Sequence, residues 1–301
     1  MEKAMLDFRI HTFLEVCRRK SYTKAAKALH ITQPAVTQHI HYLEKEYQAE
    51  FFDRNARTLT LTGEGRIFYW YALTMESNSR KIYKLLEQAE KPCRQLRFGA
   101  TLSIGEYVMP RILGDYLEEF PGDKVSMLVE NTESLLKKLD RGEIDFAVIE
   151  GKFRKDAYAY SLFSNERYIA VCAEDHPLSG EKVSIDELLG YPFIIREKGS
   201  GTRDIFEAIL SEYSLKLDQI RKVSEIGDFQ AIKYLVERGL GITFLYEMVV
   251  RNEIREGKLK EIAIENYGAT REFNFVYLKG SILEEDYMTF YHFCQSRMTP
   301  A

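Results

Sequence analysis

The 301-residue chain has no apolar run near the roughly 20 residues that a bilayer span needs, and its first residues, MEKAMLDFRIHTF, lack the apolar core of a signal peptide. These absences predict a cytoplasmic protein without a membrane partner. Cysteine is sparse: Cys17, Cys93, Cys172 and Cys294 are scattered, with no C-x-x-C pair and no histidine-assisted metal spacing. Buried, reduced thiols are expected, with no metal site and no cofactor. There is no internal repeat and no excess of positive charge. A net charge of -4 and a pI near 6.0 exclude a protein coated uniformly by nucleic acid.

What is present is uneven. Hydrophobic residues make up 45% of the chain, ample for about two or three packed units at this length. Residues 1–62 hold ten Lys and Arg against seven Asp and Glu, whereas the remainder holds 32 against 39. Four of the six histidines also fall in that first segment. The asymmetry predicts a basic module joined to a mildly acidic one.

Within the basic module, Ile10, Phe13, Leu14 and Cys17 set an apolar stripe on a first helix. Ser21 is placed to cap a second helix, where Ala25, Ala26, Ala28 and Leu29 permit close helix contact. His30 and Ile31 make the break. Thr32 caps a third helix with Pro34 in its first turn, and Val36, Ile40, Leu43 and Tyr47 give one buried face. Gln33, Thr37, Gln38 and His41 then face outward. Small residues at a helix crossing, a short turn and a second helix bearing amides and hydroxyls make a helix-turn-helix able to pair with base edges. The following FFDRNARTLTLTGEG reads as two short strands around a polar turn carrying Arg54 and Arg57, a wing for phosphates or the minor groove. The candidate DNA-contacting set is Ser21, Thr23, Thr32, Gln33, Pro34, Thr37, Gln38, His41, Arg54 and Arg57.

The stretch from Ala25-Ala26 through Leu29, Gln33-Pro34-Ala35-Val36-Thr37, Ile40 and Leu43-Glu44, then Phe51-Phe52, Arg54, Leu61-Thr62 and Gly65, resembles the DNA-binding domain of LysR-type transcriptional regulators. Many fixed spacings match at once, which a lone helix-turn-helix does not do. The resemblance implies a transcription factor, not an enzyme. It also implies an α/β effector domain of two Rossmann-like subdomains, similar to type 2 periplasmic solute-binding folds, behind the winged helix-turn-helix and a long linker helix.

From Gly65 to about Lys91 a long helix is expected, with Phe68, Tyr71, Met75, Asn78, Ile82 and Leu85 on a heptad seam. A polar Asn78 among apolar seam positions suits a register-fixing role. The resemblance implies that such helices pair between protomers, and that pairs join into a homodimer or homotetramer on an operator with two half-sites in double-stranded DNA. Beyond Pro92 short apolar runs alternate with helices: strands near 96–100, 124–130 and 145–149 with helices near 105–120 and 132–140. A second set has strands near 168–173, 193–196, 222–226 and 241–245, and helices near 202–213 and 228–238. Parallel α/β units with a cleft follow. The expected domains are 1–62 for DNA, 63–91 for the linker and 92–301 for the effector, the last divided into 92–163 with 268–301 and 164–267.

Three segments point to the cleft. ATLSIGEYVMP puts Thr101 and Ser103 at a helix start, REKGSGTRDIF puts Gly199, Ser200, Thr202 and Arg203 at another, and EIGDFQAI opens a third at Gly227 and Asp228. Free N–H groups and the helix dipole favour a small anionic effector there. Arg203 has a competing partner in Glu207, one turn along the same helix. A transport receptor would not need the winged helix. A dehydratase is disfavoured because Asp204 stands where the Thr-Arg-Phe element of prephenate dehydratases has Phe, and GSGTR lacks the lysine and spacing of a P-loop.

Overall fold

A computed structural model describes residues 6–53, 56, 58–88, 94–268 and 270–298. The chain divides into two compact units. One comprises 1–92 with 140–143 and 278–285; the other comprises 93–139, 144–277 and 286–301.

In the first unit, α1 (Phe8–Arg19), α2 (Tyr22–Leu29) and α3 (Gln33–Glu46) pack on the start of the long α4 (Gly63–Gln88). The caps fall where the sequence puts them. Ser21 accepts from the Lys24 N–H and Thr32 from the Ala35 N–H, each at 3.3 Å, and His30 closes α2 in the left-handed conformation. The core is aromatic: Phe68 stacks on Phe51 at 4.3 Å and meets Phe13 edge-on at 4.9 Å. Truncating one such ring to alanine would cost about 3–5 kcal/mol. Gly65 is required by proximity, because a Cβ there would lie 2.0 Å from the Phe51 carbonyl oxygen. The expected wing is a single bridge between Phe52 and Leu61, and Arg54 and Arg57 lie outside the described residues. Tyr47, expected on the buried face of α3, is half exposed; it forms the C-cap, with its ring against Phe68 at 4.8 Å.

In the second unit, β1 (Gln95–Ala100) pairs in parallel with β2 (Lys124–Val129) and β3 (Phe146–Ile149), linked through α5 (Leu102–Tyr107), α6 (Met109–Glu119) and α7 (Thr132–Asp140). β4 (Tyr158–Ala173) begins well before the strand expected at 168. After it come β5 (Lys182–Val183), α8 (Ile185–Leu188), β6 (Pro192–Ile195), α9 (Gly201–Glu212), β7 (Lys222–Glu225), α10 (Phe229–Glu237) and β8 (Thr243–Tyr246). Then α11 (Glu247–Arg255), β9 (Leu259–Glu261), β10 (Ala263–Ile264), β11 (Thr270–Leu278) and α12 (Glu284–Arg297) complete the chain. The main sheet runs β2-β1-β3-β11-β4-β8, with β9 also on β4. Thus β11 lies antiparallel to β3 on one side and next to β4 on the other, while β4 carries β8 and β9 antiparallel. These two strands join a half built on β1–β3 to a half built on the parallel β6–β7 pair and β8. The first part of β4, β11 and α12 had no counterpart in the sequence reading, whereas the end of β4 matches the strand expected over 168–173. The helix expected over 105–120 is interrupted at Val108, ahead of Pro110, giving α5 and α6. Cys172 and Cys294 are buried, and burial pushes their thiols up to about 11 and about 12; Cys17 is raised by the same cause, and Cys93 lies outside the described residues.

Candidate functional site

The outer face of α3 is built by what its inner face must bury. Val36, Ile40 and Leu43 are at most 2% exposed, so the helical period turns Gln33, Gln38 and His41 outward, and all three are exposed. Thr37 is half-buried; its hydroxyl donates to the Gln33 carbonyl at 3.2 Å and accepts from Gln33 Nε2 at 3.1 Å. The pair presents an amide already oriented for base-edge contact. Thr23, Thr32 and Pro34 are exposed at the helix starts, and Ser21 is a cap and half-buried.

Along α4 the expected seam separates into two groups. Tyr71, Met75 and Leu85 are exposed, in company with Ile67, Tyr83 and Leu86. Phe68 instead belongs to the aromatic core, and Ile82 is half-buried. Asn78 is held within its own chain: its Nδ2 donates to the Gly280 carbonyl at 2.9 Å and its Oδ1 accepts from the Ile282 N–H at 3.2 Å.

In the second unit, β1, β3 and β6 all deliver their carboxyl ends to one place, where a ligand of an α/β sheet is expected. Thr101, Ser103, Ser200 and Thr202 are each at most 2% exposed there. The structure brings Ser103 and Thr202 together around a residue absent from the sequence-derived set. Ser103 Oγ donates to Glu150 Oε1 at 3.2 Å, and Thr202 Oγ1 donates to the same oxygen at 2.8 Å. Close backbone approach fixes this arrangement. Gly151, at φ +81°, would carry a Cβ 2.6 Å from Gly201 Cα, and a Cβ on Gly201 would lie 2.4 Å from the Glu150 carbonyl oxygen. Tyr168, on β4, has its hydroxyl 2.9 Å from the Thr202 carbonyl and so anchors the start of α9.

Glu150 is 1% exposed, and burial raises its pKa to about 7 against the opposing hydroxyl bonds and the charge of Arg196. The polar atoms of this half that are buried without a hydrogen-bond partner among the described residues include Glu150 Oε2, Thr101 Oγ1, Arg196 Nη1 and Tyr246 OH. Arg196 uses its Nε and Nη2 on Glu197, at 2.8 and 3.0 Å, and stacks over Phe229 at 4.6 Å. Burial works against the Glu197 carboxylate, but those bonds outweigh it and lower its pKa. The other expected residues have local roles. Arg203 pairs with Glu207 at 2.7 Å and with Glu225, Asp228 caps α10 through the Ala231 N–H at 2.7 Å, and Gly227 lies against the Glu197 carboxylate. Gly199, at φ +89°, makes the turn into α9.

Comparison with known proteins now decides the family. The model of the "LysR substrate binding domain" matches residues 89–299, and that of the "Bacterial regulatory helix-turn-helix protein, lysR family" matches residues 9–66. The chain is a LysR-type transcriptional regulator. Its relatives include the HTH-type transcriptional regulator CysL of Bacillus subtilis, 29% identical over 89% of both chains. The RuBisCO operon transcriptional regulator of Allochromatium vinosum is 29% identical over 91% of this chain and 90% of its own. Among solved structures, the regulatory domain of Synechocystis CcmR in complex with 2-PG is 26% identical, with a TM-score of 0.62 over 69% of this chain and all but 1% of that one. A Corynebacterium glutamicum OxyR mutant shares the fold at 22% identity and a TM-score of 0.61, over 96% of this chain and 90% of that one. The named relatives are transcription regulators and not enzymes.

As a LysR-type regulator the chain therefore combines a DNA-binding helix-turn-helix with an effector-binding α/β domain. No helix among the described residues is long and apolar enough to cross a membrane. Glu150 and Arg196 are what the sequence reading missed around the site. A usable signal existed: DFAVIEG and PFIIREK each end a buried strand on a charged residue, at the carboxyl edge where ligands settle.

Proposed function

We propose that this LysR-type regulator works in the cytoplasm as a homodimer or homotetramer, reads an operator of two half-sites, and responds to a small effector carrying an anionic group. On the DNA side, Gln33, Thr37, Gln38 and His41 read base edges, Ser21, Thr23, Thr32 and Pro34 lie toward the sugar-phosphate backbone, and Arg54 and Arg57 contact phosphate. The exposed apolar residues Ile67, Tyr71 and Met75 on α4 support pairing between protomers, since they recur at helical spacing on a surface otherwise costly to leave wet.

The effector assignment rests on one observation: Arg196 Nη1 and Thr101 Oγ1 are buried and unpartnered beside the start of α9, whose N-cap residue Ser200 makes no side-chain cap bond. An anionic group would satisfy the guanidinium, the hydroxyl and the first N–H groups of a 12-residue helix together. The six-residue α5 is too short to add a comparable dipole, so Thr101 and Ser103 contribute as hydroxyls. A ligand acts on DNA only by favouring one packing of effector domains over another, which shifts the spacing of the DNA-reading heads.

The test selects operator fragments from random DNA with the full chain, then footprints them with and without panels of small acids. Gln33→Ala should lose the selected preference while non-specific binding persists. Thr202→Val should abolish the ligand-dependent change in footprint and leave ligand-free binding intact. Met75→Asp with Ile82→Asp should give a monomer with poor affinity for paired half-sites. Retention of paired-site affinity by that monomer would remove the assembly, and a ligand response untouched by Thr202→Val would remove the site.

A further inference from the structure

We propose that Glu150 makes the effector site selective for a small amphoteric acid, one that carries an ammonium group beside its anionic group as an amino acid does. The inference rests on the effector site proposed above and specifies its ligand. It stands on geometry first. Glu150 Oε1 already accepts two hydroxyl donors, Ser103 at 3.2 Å and Thr202 at 2.8 Å, whereas Oε2 is buried and bare among the described residues. A carboxylate buried this way is costly until a charged donor meets it. On the same site Arg196 Nη1 and Thr101 Oγ1 offer donors to an acid. One molecule with both groups answers the two vacant needs at once.

The surrounding charge excludes the simpler alternative of an anion alone. Arg196 and Glu197 neutralise each other through two hydrogen bonds. That leaves Glu150, when ionised, without a cation of its own; Glu106, which feels the charges of Arg196 and Asp228, is a further acid, and Arg271, whose charge reaches Tyr168 and Tyr246, pairs with Glu212 at 3.4 Å. Tyr168 from β4 and Tyr246 from β8 also face Glu150 electrostatically, and burial holds both phenols in the neutral form. Lys233 supplies no free cation, since it pairs with Glu253 at 2.6 Å. A simple carboxylate or sulfate would add a second buried negative charge beside the first, while an amphoteric ligand leaves the site near neutral. Burial also keeps the Glu150 carboxyl part-protonated near neutrality, so arrival of an ammonium group should expel that proton.

The experiment uses the full chain and matched probes: the common amino acids, each against its deaminated counterpart, such as alanine with propionate, serine with 3-hydroxypropionate and aspartate with succinate. Affinities come from thermal shift and titration calorimetry at pH 7, the latter in two buffers of different ionisation heat. At least one amino acid should bind about tenfold or more tightly than its counterpart, with release of a proton, as expected for a buried charged hydrogen bond. Glu150→Gln, a neutral isostere that removes a buried charge and so should fold, should lose most of that preference and all of the proton release. Deaminated acids binding as tightly as their partners, an undiminished preference in Glu150→Gln, or no binding by any amino acid at about 10 mM, a concentration that reveals even weak ligands, would each overturn the proposal. Thr202→Val separates the two layers. If it abolishes binding of both probe classes while no amino-acid preference exists, the site stands and the role of Glu150 falls; if it leaves all binding intact, the site itself falls.

Discussion

Glu76 on α4 and Glu150 at the end of β3 are both buried glutamates, yet their surroundings could hardly differ more. Glu76 meets His11 Nδ1 at 3.1 Å, the Arg18 guanidinium, and Arg80 at 3.7 Å; burial opposes its charge, but these partners outweigh it and bring its pKa down to about 2. Glu150 meets two neutral hydroxyls, and burial wins, raising it to about 7. The first is a fully compensated charge that pins α1 to α4. The second is left incomplete, in the half of the chain that matches a substrate-binding domain. A buried acid held by two guanidinium groups and an imidazole is architecture, while one left with a bare oxygen reserves a place for something else.

The sharpest break of this comparison is Glu76→Gln. It strands Arg18 with only Glu15 at 3.7 Å and should destabilise the DNA-binding unit by about 2–4 kcal/mol in urea unfolding near neutral pH. Because the folded pKa is depressed, that contribution is present above the unfolded value of about 4.5 and fades as pH falls toward 2. Wild type and variant should therefore converge in acid.

Glu150→Gln should do the reverse. A raised folded pKa means that the folded state holds its proton more tightly, so the stability of the wild type is intact below about pH 4.5 and declines as pH rises through 7. The variant should exceed wild type by about 2–3 kcal/mol at pH 8 and match it near pH 4.5, in ligand-free unfolding at both pH values. Equal stability at pH 8 would show that Glu150 is already compensated.

A smaller effect sharpens the contrast from the DNA side. Gln33→Ala and Thr37→Ala should each cost roughly 1–3 kcal/mol of preference for the operator in competition binding, and Gln33→Ala should leave unfolding unchanged, since Gln33 is exposed. Asn78→Leu should show the smallest effect, a loss of about 1 kcal/mol of stability from two broken hydrogen bonds to Gly280 and Ile282. A register-fixing seam residue would instead become more stable when made apolar.

Much of the first unit was legible because its determinants are local. Ser21 and Thr32 each cap an N–H three residues away, Ala25 and Ala26 allow the crossing, and the period of Val36, Ile40 and Leu43 sets which face of α3 is outside. The apolar runs Phe146–Ile149 and Pro192–Ile195 likewise marked buried strands. Seam positions fared differently. Heptad spacing names a stripe but not its occupant, and Phe68 turned out to belong to the core of its own chain.

By itself the sequence determined most of the helices and strands, the caps of α2 and α3, the outward face of α3 and the family, because each depends on neighbours within a turn or on motifs at fixed spacing. Only the tertiary structure decided what met what across long separations. Ser103 and Thr202, expected to grip a ligand, reach Glu150 over 47 and 52 residues, and Asn78 finds Gly280 over 202. Such pairings follow from β1 and β3 ending side by side in one sheet, from β6 of the separate β6–β7 pair ending beside them, and from glycines that let β3 and α9 touch. The energy of a buried charge depends on those distant partners, so neither the place of Glu150 nor its proton could be read from the residues beside it.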